Sequence, residues 1–314
     1  MTRQIAIIGA GMAGLAAARR FRDAGHAVTL FDKSRGLGGR MATRRAGALQ
    51  FDHGAQYFTA RSERFRGLVD GWLAGGQVGE WDNGSYVGTP GMSAPARALA
   101  AGCTIVAGSH VTALHKGEAG WTIHDAEGPV ATPGNGSFDA AILAVPAPQA
   151  IPLAASAGIA WSPMQQASYA PCWALMLAFD KNLDLPSDRM RPEHAAIGWI
   201  ARDSSKPGRS RETETVVVHA TPDWSRANLE DSPDEIAPRL LAAFRDLSGI
   251  AAQPGFIAGH RWRYALVEQT VGQPFLWDET IALGACGDWC LGPRVEAAFE
   301  SGDALAQEIL AKPA

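Results

Sequence analysis

The sequence predicts an α/β chain: a Rossmann-type dinucleotide-binding domain joined to a second, α+β domain built on an antiparallel sheet. Three observations predict it. A glycine-rich turn links a short apolar strand to a helix close to the first residues. Near the other end, an apolar strand and an amphipathic helix can complete the same layer. Between them lie further apolar strands that carry no glycine fingerprint.

Ile5–Ile8 is a continuous apolar run, suited to a strand buried on both faces. Gly9-Ala10-Gly11-Met12-Ala13-Gly14 follows directly, a G-x-G-x-x-G. Gly9 permits the tight turn, Gly11 lets backbone come close to a pyrophosphate, and Gly14 lets the helix pack near the strand. The spacing predicts a helix over Leu15–Ala24 with Gly25 as its C-cap, then a strand Ala27–Phe31. Asp32 stands 23 positions after Gly9, where a carboxylate can accept hydrogen bonds from a ribose, and Lys33 follows it. Glycines alone are weak evidence, but strand, turn, helix, strand and acid in this order mark a dinucleotide site.

Next comes Gly38-Gly39-Arg40-Met41. Two glycines before an arginine resemble the second fingerprint of FAD enzymes of the amine-oxidase type, which narrows the dinucleotide to non-covalently bound FAD. Arg40 can offer a planar fork to a phosphate. The bland reading is a surface loop with an arginine.

The segment TIALGACGDWC (280–290) reads as a strand ending at Gly287-Asp288, and 294–310 as an amphipathic helix. In FAD enzymes of this architecture the equivalent acid binds the ribityl chain. The helix start at Arg294, Val295 and Glu296 would lie by the pyrimidine edge, where its partial positive charge would stabilise the negative charge that appears on reduction. Residues 102–128 read as strands and hairpins with Val111 as a backbone contact to adenine, and 138–150 as a buried strand ending in prolines.

Composition bounds the function. The chain has 314 residues, is 46% hydrophobic and 19% charged, and has a formal net charge of −4. A basic nucleic-acid or membrane-surface patch is not indicated. No apolar run approaches the roughly 20 residues that a membrane span requires. Cys103, Cys172, Cys286 and Cys290 form no C-x-x-C pair, so no metal site is assigned, and a cytoplasmic location is expected.

Beyond the nucleotide motifs, strands are readable at Trp173–Phe179, Ala196–Ala201, Thr215–Ala220 and Phe256–Tyr264, and a helix over Pro233–Leu247. Residues 201–214 read as a long polar loop. The run LQFDHGAQYF (49–58) alternates like a strand up to Gly54. No ligand spacing surrounds His53 apart from adjacent Asp52, which argues against a metal site there.

GAGMAG, DKSRGLGGRM, GAQYFTA, GTPGMSA, ARDSSKPGR, HATPDWSRANLE, HRWRYA and GDWCLGPRVE together resemble bacterial renalases, in the same order over nearly the whole chain. The resemblance implies a Rossmann-type FAD-binding domain (1–47, 97–148 and 275–314) and a substrate domain (48–96 and 149–274), in a p-hydroxybenzoate hydroxylase-like architecture. It implies oxidation of the 2- and 6-dihydro isomers of NAD(P)H, with hydride passing to FAD and O2 reduced to H2O2. Gly54, Ala55 and Gln56 would run beside the flavin; Tyr57, His219 and Trp262 would line the pocket, with Tyr264 and Trp199 as further candidates. Without the resemblance, aromatics on strands are more often core, and a lone strand histidine is more often a satisfied polar group.

The substrate would be a small-molecule dinucleotide, and Lys206 and Arg209, or Arg261 and Arg263, could attract its charges. A solvated loop face is the bland reading. Two other functions stay open: a flavin amine oxidase or desaturase of a small organic substrate, and a non-catalytic FAD-binding protein. Enzymes of the first kind often carry a lysine near the flavin. None of Lys33, Lys116, Lys181, Lys206 and Lys312 falls in a motif that can be placed there.

Overall fold

The computed structural model describes residues 1–132 and 136–311; Lys312 lies outside them. The first half is organised by a six-stranded sheet in the order Leu276–Asp278, Leu283–Ala285, Ala140–Leu143, Gln4–Ile8, Ala27–Asp32, Thr104–Ala107. All neighbours are parallel except the first pair. Gln4–Ile8 is central because its side chains have a packed layer on each side. Ile5 and Ile7 join Leu15, Phe21, Phe299 and Leu305 from the helices Met12–Asp23 and Val295–Ala311. Ala6 and Ile8 join Phe31, Trp121 and Leu153 on the opposite face, under the hairpin Ala113–Gly117/Gly120–Asp125.

The two helices touch along their backbones. A Cβ on Gly302 would collide with the carbonyl oxygen of Ala13. The first helix ends as expected at Gly25, which adopts φ +83°, with the Gly25 N–H donating to Arg22 and the His26 N–H to Phe21.

The second half is a five-stranded antiparallel sheet in the order Arg189–Met190, Ile197–Arg202, Glu214–Ala220, Ser168–Phe179, Phe256–Gln269. One face is covered by the helix Pro233–Ser248, whose Ile236, Leu240 and Phe244 pack on Trp173, Leu175, Val216 and Val218. A capping box starts that helix: the Ser232 hydroxyl accepts from the Glu235 N–H, and the Glu235 carboxylate accepts from the Ser232 N–H. Alternation then sends Ala174, Met176, Val217 and His219 to the other face.

Several segments differ from the sequence reading. Only Leu49–Phe51 of the 49–58 run is a strand, paired with Arg44–Ala46. The expected strand across 280–290 is confined to Leu283–Ala285; Gly287 breaks it and Asp288–Leu291 is a short helix. Glu63–Ala74 is a helix capped by Ser62, and Ala147–Ser156 is a helix following the proline-marked strand end. Phe58, Phe65, Val69, Trp72, Val78 and Val87 share one core with Ile5 and Leu15, and Leu153 and Ala154 share another with Ile8 and Phe31.

Candidate active site

The two glycine fingerprints meet. Gly11 and Gly38 form an isolated parallel bridge, and the Gly38 N–H donates to the Ala10 carbonyl at 2.9 Å. Gly9, at φ +109°, makes the turn, and a side chain there would strike the backbone of Ala144. The helix beginning at Met12 has no side-chain cap and no acid in its first turn, and a Cβ on Gly11 would meet nothing within 4 Å. Unpaired amides and open space at one helix start suit a phosphate.

Asp32 accepts from the Ala10 N–H at 2.8 Å and from the Ser34 N–H at 2.7 Å. A carboxylate offers about four acceptor positions, so two remain for a ribose. Val111 packs beside Phe31 and Ile8, near the same strand end, while Lys33 is exposed. Met12, Ala13 and Met41 are buried packing residues.

Arg40 and Asp288 are partners of each other. Two nitrogens of the guanidinium donate to the two carboxylate oxygens, each at 2.7 Å, and one donates also to the Ala265 carbonyl. The expected phosphate fork and ribityl acid are thus each other's partners in this structure. The pair ties the second fingerprint to the last strand–helix junction. Glu296 also departs from expectation: one carboxylate oxygen accepts from the Arg61 and Ser62 N–H groups, both at 2.7 Å. It anchors the start of the Glu63–Ala74 helix. Arg294 is exposed and Val295 half-buried.

The predicted pocket residues do come together. Trp199 pairs with His219, His219 with Ala174, and Ala174 with His260, a row across four strands, with Trp262 two residues beyond His260. Residues 53–57 run against this row. Trp262 Nε1 and His219 Nε2 both reach the carbonyl of His53, at 2.9 and 3.1 Å. The rings of His53, His260 and Trp262 lie within 4.5–5.1 Å of one another. Tyr57 lies 5.8 Å from the Trp199 ring. Tyr264 packs edge-on at 5.6 Å against Tyr169, whose hydroxyl accepts from the Ala147 N–H.

A carbonyl only accepts, so His219 carries its proton on Nε2. Burial lowers its pKa to about 4, with Lys206 adding to the effect. Burial and the neighbouring His260 hold His53 at about 3, and burial with Arg44 holds His260 at about 4. All three imidazoles are neutral near pH 7.

Gly54 is needed for a reason different from the expected one. A Cβ there would collide with the Arg40 carbonyl and stand 3.2 Å from Trp262, while the Ala55 N–H donates to that carbonyl at 2.8 Å. The glycine admits protein backbone. Gln56 is buried; its amide nitrogen donates to the Asp52 and Gly54 carbonyls, and its oxygen accepts from Lys206 at 3.2 Å.

Lys206 and Arg209 overturn the solvated-loop reading. Lys206 is 1% exposed and ion-paired to Asp203 at 2.5 Å and Asp52 at 3.5 Å; Arg209 pairs with the same Asp52 carboxylate. Two cations and two acids balance inside the protein, so neither steers a ligand at the surface. Arg261 and Arg263 fall on alternate positions from His260 and Trp262, and both pair with Glu230 away from the row. Cys286 and Cys290 are buried, and burial pushes the Cys290 thiol up to about 12, which suits packing rather than redox work.

Residues 7–72 match the NAD(P)-binding Rossmann-like domain, and residues 76–310 match flavin containing amine oxidoreductase. The chain belongs to the flavin containing amine oxidoreductase family. FAD is the cofactor, and the uncapped helix start, Asp32 and the joined glycine motifs fit it. Within this family, a 51-residue stretch is 49% identical to 4,4'-diapophytoene desaturase (4,4'-diaponeurosporene-forming) of Staphylococcus aureus, covering 16% of the chain and 10% of that enzyme. The fold resembles a candidate protoporphyrinogen oxidase from Exiguobacterium sp. 255-15, with TM-score 0.79, 12% identity, and 99% and 100% of the two chains covered. It also resembles cyclohexylamine oxidase from Brevibacterium oxydans IH-35A, with TM-score 0.70, 12% identity, and 99% and 100% covered.

Among the described residues no group of three or more His, Cys, Asp or Glu could hold a metal ion, and no helix is long and apolar enough to cross a membrane. A surface groove of about 430 Å³ between Arg20, Arg64, Trp72 and Asp303 contains none of the residues described above as the candidate site. Sequence reasoning missed Tyr169, Arg189 and Arg191. Arg191 donates to the Tyr57 hydroxyl at 3.2 Å and lies 4.9 Å from the Trp199 ring centre. A basic pair two positions apart, R-M-R at 189–191, was the available signal.

Proposed function

We propose that this flavoprotein oxidises the 2- and 6-dihydro isomers of NAD(P)H to NAD(P)⁺, with O2 reduced to H2O2. The dinucleotide gives up a hydride, and O2 takes the two electrons with two protons. One observation supports the reading most. The segments that separate a renalase-like chain from the wider family converge: Gln56 and Tyr57, Lys206, His219, and His260 with Trp262 meet around one backbone stretch.

FAD, when bound, supplies the hydride acceptor. The protein's part is to hold a flat donor ring in place and keep water out. A row of indole, phenol and neutral imidazole groups suits that task, since hydride transfer depends on orientation more than on acid–base groups. The division into an FAD-binding domain (1–47, 97–148, 275–314) and a substrate domain (48–96, 149–274) belongs to the same proposal.

A second reading, oxidation of a small amine, is favoured by Lys206, which lies behind Gln56 and hydrogen-bonds its side chain. Anaerobic mixing separates the two. The yellow protein should bleach with 2- and 6-dihydro-NAD(P) and stay oxidised with simple amines. Bleaching by amines alone would overturn the dinucleotide reading.

A further inference from the structure

We propose that Arg191, braced by Tyr57 and Trp199, binds the phosphate of a nucleotide substrate at the rim of the aromatic row. The proposal rests on the dinucleotide reading and sharpens it to a charge class.

The cations around the site are nearly all matched by carboxylates: Arg189 with Asp82, Arg202 with Asp188 and Glu214, Lys206 with Asp203, Arg263 with Glu230. Among the described residues Arg191 has no such partner; its contacts are the Tyr57 hydroxyl and the face of Trp199. An aromatic face and one hydroxyl orient a guanidinium without neutralising it, and they leave most of its five N–H donors available. The residue is exposed, so an anion can reach it.

A second observation lies directly beneath. Trp199 is 9% exposed, and its indole N–H is buried with no acceptor. A buried donor without a protein partner is uncommon, and here it belongs to the ring that the Arg191 guanidinium covers. Arg189 lies 5.7 Å from the Tyr57 ring on a paired, neutral arrangement, so it holds the phenol without competing for the anion.

The nearby buried charges do not compete for the anion, since Lys206 and Arg209 are balanced by Asp203 and Asp52. Tyr57 links the two regions, since it follows Gln56 in the chain and carries the hydroxyl that Arg191 grips.

The test uses the FAD-loaded protein and oxidised nicotinamide mononucleotide as a binding probe, followed by intrinsic fluorescence. Arg191→Gln should weaken binding roughly tenfold and flatten its salt dependence, and Arg191→Lys should recover part of the loss. Tyr57→Phe should give a smaller loss in the same direction. Equal affinity in the wild type and Arg191→Gln would overturn the proposal.

Dihydronicotinamide mononucleotide and the phosphate-free riboside separate this from the underlying reading. If neither bleaches the wild-type flavin, the dinucleotide oxidation falls, and the binding titration still decides the role of Arg191. If both bleach it, the proposal requires the mononucleotide to show the lower KM and Arg191→Gln to close that gap. A gap unchanged by the substitution would overturn it.

Discussion

The indole Nε1 of Trp262 donates to the backbone carbonyl of His53 across 2.9 Å, joining residues 209 positions apart. His219 Nε2 reaches the same oxygen, so two side chains of the second sheet hold one peptide group of the first half. The stretch Gly54–Tyr57 inherits its position from that clamp.

Trp262→Phe keeps an aromatic ring, though a smaller one, and removes the donor. We expect about 1 kcal/mol lower stability, the usual net value of one hydrogen bond. Flavin reduction should slow as well, because the segment carrying Tyr57 loosens. Stopped-flow bleaching and thermal melts check this; a wild-type rate would show that the bond does not position the site.

Lys206→Ala should act on the fold. It leaves Asp203 and Asp52 buried with Arg209 as the remaining cation, and breaking a buried pair costs about 3–5 kcal/mol. Urea unfolding should show the loss. A variant of unchanged stability with an altered KM would return Lys206 to substrate binding.

Acid should destabilise the protein before the carboxylates titrate. Ordinary imidazoles titrate at 6.5, whereas burial holds His53 at about 3 and His219 and His260 at about 4. The unfolded chain therefore takes up protons that the folded chain refuses. The part of stability that these three histidines contribute is complete above pH 6.5, declines as pH falls toward 4, and flattens near 3. Urea midpoints measured across that range, with His260→Phe showing a shallower decline, are the check.

Asp288→Asn should lower FAD retention. The substitution removes the charge that holds both nitrogens of Arg40 and releases the second glycine fingerprint from the Asp288–Leu291 turn. The ratio of flavin to protein absorbance after dialysis measures it. Full retention would show that the pair is not needed to shape the cofactor site.

The fold was readable where local rules decide. Ile5–Ile8 is continuously apolar because both faces are covered, and Ser232 with Glu235 writes a helix start into four residues. The aromatic row was readable only through resemblance, since alternation does not distinguish a core tryptophan from a pocket one. Lys206 and Arg209 were misread because their partner, Asp52, lies more than 150 positions away. Local composition, rich in serine and arginine, describes a surface; burial there is decided by tertiary charge balance. Glu63–Ala74 carried a usable signal in Ser62 and in Phe65, Val69 and Trp72 at helical spacing.

The contact of Gly302 with Ala13 sets an order of events in the cell. Chains emerge from the ribosome N-terminus first, and domains usually fold in that order. Here the fingerprint helix receives its packing partner from Val295–Ala311, and the strand Ala140–Leu143 receives its neighbour from Leu283–Ala285. The fingerprint motif is thus finished by residues made long after it, and a complete cofactor layer has to wait for that strand and helix.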